Sequence, residues 1–300
     1  MKIGFALGKR LFDAQSTLVD LYGSETAMAV LSKTGPSFLC QASPAENSLT
    51  LSVESINRLI QDHEIDLKLI KNLISVTESP LLQFPGNAPL IASTFDFSRT
   101  LSVFDLNAGC TGFVDAIKIA MGLEGISLII CSETYSKHIR KFNRTTSCLF
   151  ADGACAILLD PTEWQVIRSY SIFRPSTFNS ISVSSGGDEL FMDGKEVYNF
   201  VLSDVLPTIN QIIAENPSIE RAYLHQASKL VTDTLTTKLN KTNVKLPTFI
   251  ERSGNFVSAT LPLLMAEDMA VTPINSGEIF LIAGFGVGLS FSACVLKKNE

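Results

Sequence analysis

Apolar positions along the chain recur either every three to four residues or in short continuous runs. The first spacing predicts helices at residues 46–62, 111–121, 195–213 and 229–239. The second predicts buried strands at residues 73–76, 101–106, 128–131, 154–159, 222–224, 279–283 and 289–296. Helices that alternate with buried strands are typical of an α/β protein with a mostly buried sheet.

The two halves of the chain also resemble each other weakly. Each half closes with an apolar strand, a connection and a second strand that begins with small residues, at 128–130 with 153–159 and at 280–282 with 291–296. Such a repeat predicts two related halves. We place the first at residues 1–164 and the second at residues 165–300.

Composition narrows the class of protein. The 300 residues are 46% hydrophobic and 18% charged, which excludes a disordered or fibrous chain. The net charge of −6 argues against a nucleic-acid partner, because a general nucleic-acid binder needs a basic face. The 6 cysteines form no Cys-x-x-Cys pair, so we expect neither a zinc ribbon nor a redox dithiol, and no metal site.

Residues 279–296 carry no charge and approach the length of a membrane span. Glycines at alternate positions, Gly284, Gly286 and Gly288, favour a turn over a helix. We therefore expect two buried strands joined by a glycine turn, and no membrane segment. The apolar stretch at the N-terminus is too short for a signal peptide, and the scattered cysteines suit a reducing compartment, so the expected location is the cytoplasm.

Cys110 is the first candidate for chemistry. It lies between a predicted buried strand and a predicted helix, with Gly109 before it and Gly112 two residues after it. The positive end of a helix lowers the pKa of a thiol, so we expect a reactive thiolate at Cys110. The glycines allow a substrate to approach the sulfur closely. The alternative is a buried, unreactive cysteine.

Four further elements are weak signals when each is taken alone. His225 follows a predicted strand, where a structural histidine is the more common case. Asn255 follows a glycine, where a turn or a helix cap is the more common case. The glycine turn at residues 284–288 exposes backbone N–H groups that can hold an oxyanion. Asp152 begins a tight turn into a buried strand.

Together and in this order, these elements resemble the β-ketoacyl-acyl-carrier-protein synthase III family. The matching motifs lie between about residue 47 and residue 296 and are Ala108-Gly109-Cys110-Thr111-Gly112-Phe113, Asp152-Gly153-Ala154, His225-Gln226-Ala227, Gly254-Asn255 and Gly286-Val287-Gly288. Several matches in the right order are far more specific than any one of them. The resemblance implies a thiolase-like fold, five-layered α/β/α/β/α, made of two pseudo-repeated halves and acting as a homodimer.

The resemblance also implies a mechanism. Cys110 takes an acyl group from a thioester of coenzyme A or of an acyl-carrier protein, and the backbone N–H groups of Cys110 and Val287 hold the oxyanion. A malonyl thioester then loses carbon dioxide, and His225 and Asn255 stabilise the enolate. The enolate attacks the acyl group on Cys110. No metal or organic cofactor takes part, since the coenzyme A or phosphopantetheine thioester is itself the substrate.

Two more residues are assigned to substrate binding by the resemblance. Phe84 lies in a loop that crosses the homodimer interface and lines the acyl pocket of the partner subunit. Arg144 aligns with an arginine that contacts the adenine end of coenzyme A. The basic loop at residues 137–144 suits coenzyme A phosphates or an acidic carrier protein, or it is a solvated loop.

The chain departs from the family at three places. Residues 1–45 match poorly and lack the tryptophan and arginine that usually clamp adenine. Ser228 stands where the family motif ends in asparagine, and only Lys229 and Lys238 are basic between residues 225 and 239. These departures put the usual docking face for a carrier protein in doubt and favour a specialised pathway over housekeeping fatty-acid synthesis.

Two other functions remain open at the level of sequence. An acyltransferase of the same fold that forms an ester or amide needs a base rather than an enolate hole, so Asn255 favours condensation. A non-catalytic partner subunit of a ketosynthase is the other alternative, and the presence of Cys110 and His225 argues against it.

Overall fold

The computed structural model describes residues 1–139, 143–144, 146–184, 187, 189–240 and 242–300. The strands are β1 Lys2–Leu7, β2 Arg10–Asp13, β3 Phe38–Gln41, β4 Ile70–Val76, β5 Ser102–Leu106, β6 Ile126–Glu133, β7 Gly153–Leu159, β8 Trp164–Phe173, β9 Ile181–Ser182, β10 Phe191–Met192, β11 Ile219–Leu224, β12 Ile279–Gly286 and β13 Ser290–Lys298. The helices are α1 Ala14–Tyr22, α2 Ser24–Thr34, α3 Ser48–His63, α4 Asn87–Thr94, α5 Gly112–Ala120, α6 Gly194–Phe200, α7 Leu206–Glu215, α8 Lys229–Leu239, α9 Ile250–Ser253 and α10 Thr260–Val271.

The first large sheet has the strand order β1-β7-β6-β4-β5. Its strands β4, β5 and β6 run parallel, whereas β7 and β1 are added antiparallel at one side. β6 and β7 are buried along nearly their whole length. Burial on both faces explains why these strands read as continuous apolar runs instead of alternating patterns.

The second large sheet has the order β11-β12-β13-β8. β12 runs parallel to β11 and antiparallel to β13, and β13 runs antiparallel to β8. The first sheet has the same sequence of neighbours when it is followed from β4 to β1. The two sheets therefore repeat one arrangement. β8, the first strand of the second sheet in the chain, begins at Trp164, and the domain division at that point stays a prediction.

Two buried helices separate the sheets. α5 contacts β4 and β6 on one side and β12 and β13 on the other, and α10 contacts β1, β7 and β11. Phe113 and Ile117 of α5 and Met265 of α10 are fully buried in the core between the sheets. α3 and α4 cover the outer face of the first sheet, and α6, α7 and α8 cover the outer face of the second. The layer order is α/β/α/β/α, as the resemblance implies.

The predicted helix at residues 195–213 consists of two α-helices joined by a π-helical segment, Val201–Val205. Pro207 lies in the first turn of α7. Proline has no backbone N–H, so it cannot donate the regular helical hydrogen bond to the preceding turn. A π-helical turn at this point keeps the chain helical while the hydrogen-bond ladder shifts.

Residues 279–296 form strands β12 and β13, as predicted. The position of the turn was predicted wrongly, because β12 continues through Gly284 to Gly286 and the turn follows at residues 287–289. In the part of the chain that the structure describes, no helix is both long and apolar enough to cross a membrane.

Candidate active site

Cys110, His225, Asn255 and Val287 line one cavity of about 620 Å³. The fold explains why these distant positions meet. His225 and Val287 directly follow the neighbouring parallel strands β11 and β12, and the carboxyl ends of parallel strands lie at the same edge of a sheet. Cys110 and Asn255 precede α5 and α10, the two helices between the sheets. The four residues that the sequence singles out are therefore brought together.

Cys110 lies against the end of β12, and two glycines make this approach possible. A Cβ on Gly284 would lie 2.4 Å from the carbonyl oxygen of Cys110, and a Cβ on Gly286 would lie 2.8 Å from its sulfur. The backbone N–H groups of Val287 and of Cys110 itself lie close enough to the Cys110 sulfur to act against the rise of its pKa. Two convergent N–H donors beside a nucleophile are the arrangement that stabilises an oxyanion during acyl transfer.

The expectation of a lowered thiol pKa at Cys110 is wrong. Burial raises the pKa of Cys110 above its ordinary value, and the carboxyl groups of Glu78 and Glu133 raise it further. The N–H groups of Val287 and Cys110 act in the opposite direction but do not outweigh these two effects. The sequence motif around Cys110 contains neither carboxyl group, because Glu78 follows β4 and Glu133 ends β6, both far from Cys110 in the chain.

His225 is 1% exposed, and neither nitrogen of its ring has a hydrogen-bond partner among the described residues. Its ring packs edge-on against Phe285, with ring centroids 5.5 Å apart, and its backbone N–H donates to the carbonyl of Ala283. Burial lowers the pKa of His225 to about 3, so the imidazole is neutral at physiological pH. A buried polar group without a protein partner, at the wall of a cavity, is placed to bind a ligand.

The side-chain amide of Asn255 has a defined orientation. Its Oδ1 accepts hydrogen bonds from the backbone N–H of Val257 at 2.8 Å and from the hydroxyl of Thr260 at 3.1 Å. Its Nδ2 donates to the carbonyl of Ala227 at 3.2 Å. An amide nitrogen carries two hydrogens, so one remains to donate into the cavity. Asn255 is therefore oriented as a hydrogen-bond donor.

Backbone contacts hold Asn255 in this position. Its N–H donates to the carbonyl of Leu149, and its carbonyl accepts from the N–H of Ala151. Gly254 before it has φ +82, a conformation that favours glycine. Val257 has φ +54, which is strained for a β-branched residue and is held in place by the hydrogen bond to Asn255 Oδ1.

Gln226 links the histidine motif to the segment that leads into α9, just before the asparagine motif. Its Oε1 accepts hydrogen bonds from the backbone N–H groups of Phe249 at 2.9 Å and Ile250 at 2.8 Å, and its Nε2 donates to the carbonyl of Pro247 at 3.1 Å. Ser228 caps the first turn of α8, since its hydroxyl accepts from the N–H of Val231 at 3.3 Å. The serine in place of the family's asparagine thus has a structural role at a helix start.

Asp152 also has a structural role. Its carboxyl accepts hydrogen bonds from the backbone N–H of Ala42 at 2.7 Å and of Ser136 at 2.9 Å, and from the Ser136 hydroxyl. These bonds connect three segments that are far apart in the chain, which agrees with the sequence interpretation of a turn into the buried strand β7.

A group of polar residues near Cys110 was not predicted from the sequence. Glu78 follows β4, Glu133 ends β6, and Tyr135 follows shortly after it. Glu133 is fully buried, and Tyr135 lines the cavity. A glutamate that ends an otherwise apolar buried strand was a signal that could have been used, because buried carboxyl groups are rare unless they have partners or a function.

Three basic side chains contribute positive charge to the cavity. Lys33 of α2, Arg144 and Lys195 of α6 contribute to its lining. The guanidinium of Arg144 lies 4.5 Å from the ring centroid of Tyr22, a residue of α1. The N-terminal segment that resembles the family poorly therefore helps to form the cavity, although it lacks the expected tryptophan.

The other predicted binding elements lie elsewhere. Phe84 is 82% exposed and does not line the cavity of its own chain. In the basic loop at residues 137–144, residues 140–142 lie outside the described residues. Lys137 donates to the carbonyl of Glu46, and Lys229 of α8 forms ion pairs with Asp233 and Glu251. Lys137 and Lys229 therefore have partners within the chain.

The five layers, the repeated sheets and a cysteine–histidine–asparagine cavity at their centre define a thiolase-fold condensing enzyme. Residues 104–173 match the family described as 3-Oxoacyl-[acyl-carrier-protein (ACP)] synthase III, and residues 214–298 match its C-terminal region. A protein of Streptococcus pneumoniae serotype 19F (strain G54), Beta-ketoacyl-[acyl-carrier-protein] synthase III, is 30% identical over 278 residues, which cover 85% of this chain and 86% of that protein.

Solved structures agree with this likeness. The 3-oxoacyl-(acyl-carrier protein) synthase of Burkholderia xenovorans LB400 superposes with a TM-score of 0.89 at 21% identity and covers 99% of this chain and 93% of its own. The priming β-ketosynthase of the R1128 polyketide pathway has a TM-score of 0.88 at 23% identity, with 100% and 95% of the chains covered. The chain belongs to the β-ketoacyl-[acyl-carrier-protein] synthase III family, and the expected fold is confirmed.

Proposed function

We propose that this protein loads an acyl group from a thioester onto Cys110 and then joins it to a malonyl thioester by decarboxylative Claisen condensation. The observation that carries the proposal is the set of unused donors in the cavity of Cys110. His225 has two unpartnered ring nitrogens, and Asn255 has an amide hydrogen to spare. A nucleophile beside two neutral donors suits both halves of this reaction.

In the first half-reaction, the Cys110 sulfur attacks the thioester carbonyl. The oxyanion that forms is stabilised by the backbone N–H groups of Cys110 and Val287, which lie close to the sulfur. When the oxyanion collapses, the carrier thiol leaves and the acyl group remains on Cys110. The apolar cavity wall, with Leu149, Phe150 and Val197 among its residues, accepts the acyl chain.

In the second half-reaction, a malonyl thioester binds next to the acylated cysteine and loses carbon dioxide. The developing enolate oxygen accepts hydrogen bonds from His225 and Asn255. Because the imidazole of His225 is neutral, it donates a hydrogen bond to the enolate oxygen and forms no ion pair with the carboxylate of the malonyl group. The enolate carbon then attacks the acyl carbonyl, and the sulfur of Cys110 leaves.

The carrier of the acyl group is coenzyme A or an acyl-carrier protein, and both present a phosphopantetheine thioester. Lys33, Arg144 and Lys195 supply positive charge for the phosphates or for an acidic carrier protein. The reaction needs no resident metal or organic cofactor. The names of the relatives favour a place in fatty-acid or polyketide biosynthesis. We place the protein in the cytoplasm, because its scattered cysteines suit a reducing compartment.

A homodimer is part of the proposal. Phe84, Leu81 and Leu82 form an exposed apolar loop, with Phe84 at 82%, Leu81 at 45% and Leu82 at 43% exposed. Apolar side chains grouped at the surface mark a contact with another protein. In a homodimer, Phe84 would complete the acyl pocket of the partner subunit.

The test is the intact mass of the protein after incubation with a panel of acyl-coenzyme A and acyl-carrier-protein thioesters. We expect an added acyl mass in the wild type and none in Cys110→Ala. A second measurement follows the release of carbon dioxide when the acylated protein meets a malonyl thioester. Acylation without carbon dioxide release would favour transfer to an alcohol or amine. An unmodified wild type with every donor would favour a non-catalytic partner subunit.

A further inference from the structure

Glu78 packs against Gly109, the residue that precedes the nucleophile. Both of its carboxyl oxygens are 2.8 Å from the point where a Cβ on Gly109 would stand, so the carboxyl group packs on the backbone of the residue before Cys110. The hydroxyl of Tyr135, which lines the same cavity as Cys110, donates to Oε2 of Glu78 at 2.5 Å. The position of this carboxyl group is thus defined by contacts on two sides.

Glu78 is paired with a second carboxyl group. The backbone N–H of Glu78 donates to Oε2 of Glu133 at 3.1 Å. Glu133 also accepts from the hydroxyl of Ser79 at 2.9 Å and from the hydroxyl of Ser258 at 2.6 Å. Ser258 belongs to the segment just before α10, so the pair is connected to the element that carries Asn255.

The pair cannot hold two full negative charges easily. Burial raises the pKa of Glu78, and burial together with the charge of Glu78 raises the pKa of Glu133 to about 8. When two neighbouring buried carboxyl groups compete in this way, one ionises well before the other. Two carboxyl groups whose pKa values are separated in this way can act as a base and as an acid.

Cys110 needs a base that accepts its thiol proton before the sulfur can attack the thioester. Its thiol is buried, and the neutral imidazole of His225 is itself a weak base because its pKa is lowered to about 3. In the described part of the chain, the titratable groups that face Glu78 are Cys110, Glu133 and Tyr135. Of these, a carboxylate is the one that can accept the thiol proton near neutral pH.

We propose that Glu78 is a further catalytic residue, which receives the thiol proton of Cys110 during acyl loading and returns it to the departing carrier thiolate. This inference rests on the proposed function and adds a base to it. Glu133 and Tyr135 act as positioning residues, because they set the charge and the orientation of Glu78 without contact with the reacting atoms in this step.

The proton and the bonds balance over the loading step. The S–H bond of Cys110 breaks and its proton moves to a carboxylate oxygen of Glu78. The sulfur forms a bond to the thioester carbon, and the oxyanion is held by the N–H groups of Cys110 and Val287. The carbon–sulfur bond to the carrier then breaks, and the carrier thiolate takes the proton from Glu78. No oxidant, reductant or metal is needed.

The test compares two reactions of the same sulfur in Glu78→Gln. Acyl loading by the best thioester, followed by intact mass at single turnover, should become about 100-fold slower because the base is absent. Alkylation by iodoacetamide at pH 9 should not become slower, since loss of a nearby negative charge makes the thiolate easier to form. Glu124→Gln, a change at an exposed turn residue, is the matched control.

The result would be different if the carboxylate of Glu78 affected Cys110 only through its negative charge and accepted no proton. In that case Glu78→Gln would speed up loading and alkylation together, and this outcome would overturn the inference. If the wild type itself is not acylated by any donor, the proposed function fails and this inference fails with it. Loading by wild type and by Glu78→Gln at equal rates would overturn the inference alone.

Tyr135→Phe is the second variant and does not depend on the stability of Glu78→Gln. It keeps the ring contact with Phe150, whose centroid lies 5.1 Å away, and removes the hydroxyl that stabilises the carboxylate of Glu78. The pKa of Glu78 should therefore rise. As the pH is lowered, the rate of acyl loading should begin to fall at a higher pH in Tyr135→Phe than in the wild type. An unchanged pH profile would count against Glu78 as the base.

Discussion

The backbone of Gly286 passes so close to Cys110 that a Cβ at this position would lie 2.8 Å from the sulfur. Contacts this short do not occur between real atoms, so any other residue at position 286 must displace the sulfur or the strand. The next residue, Val287, follows the strand and carries a backbone N–H close to the sulfur. The position of the nucleophile and the position of its oxyanion donor are therefore set by one close contact.

Gly286→Ala should abolish acyl loading while the protein remains folded. The added methyl group moves the Cys110 sulfur away from the two N–H donors, and a single such donor is worth about 100-fold in rate. The measurement is intact mass after incubation with the acyl donor. Gly122→Ala is a matched control, because its nearest neighbour would lie 3.4 Å from the new Cβ. Normal loading in Gly286→Ala would contradict the close contact.

Asn255→Asp should separate the two half-reactions. The variant keeps an oxygen that accepts from Val257 and Thr260 but loses the Nδ2 donor and adds a negative charge next to the enolate. Loss of a donor of this kind lowers the rate by about 100-fold. We expect carbon dioxide release from the malonyl thioester to fall and acyl loading to persist. Asn210→Asp on the exposed face of α7 is the control.

His225 should stay neutral over the physiological range. Its pKa is lowered to about 3 by burial, so the NMR signals of its imidazole should not move between pH 8 and pH 5. In the unfolded protein the ring is expected to titrate near its ordinary value of about 6.5. Movement of the folded-state signals around pH 6.5 would show that the ring is accessible and would remove the argument for a neutral donor.

The same pKa shift has a consequence for stability, since the pKa of His225 is lower in the folded than in the unfolded state. Below about pH 6.5 the unfolded chain binds a proton that the folded chain does not, so stability decreases as the pH falls. Between pH 7 and pH 5 this group should remove about 2 kcal/mol. Urea unfolding at both pH values, compared with His225→Gln, measures the difference.

Arg144 should contribute to donor binding rather than to catalysis. It lies at the charged part of the cavity and packs on the ring of Tyr22. Because a hydrogen bond to a charged group contributes roughly 1.5–3 kcal/mol, Arg144→Ala should raise the KM for acyl-coenzyme A about tenfold and leave kcat nearly unchanged. Arg168→Ala, an exposed change on β8, is the control. An equal loss in kcat would argue that Arg144 orients the thioester.

Gln226→Leu should destabilise the protein. Gln226 is 2% exposed and accepts hydrogen bonds from the N–H groups of Phe249 and Ile250. Leucine would leave both buried donors without a partner, which costs about 3 kcal/mol in the free energy of unfolding. Urea denaturation followed by circular dichroism measures the change. Gln211→Leu on the exposed face of α7 should have little effect.

Several predictions from the sequence rested on local patterns and were confirmed. The periodicity at residues 46–62 predicted α3, and the apolar runs at 128–131 and 154–159 predicted β6 and β7. These elements bury a defined face or are buried throughout, so their hydrophobic pattern is strong. Helices α1 and α2, in the segment where the family motifs are absent, were not predicted.

The sequence by itself determined the residue types for the chemistry: Cys110, His225, Asn255 and the glycines of β12 stand in short motifs that keep their order. Only the tertiary structure decided the acid–base properties of the site. The pKa of Cys110 is raised, not lowered, because burial and two carboxyl groups act on it, that of Glu78 just after β4 and that of Glu133 at the end of β6. Burial and charge act through space between residues far apart in the chain, whereas a motif records only neighbours along it. For the same reason the contact of Glu78, Glu133 and Tyr135 with one another became visible only once the strands were assembled.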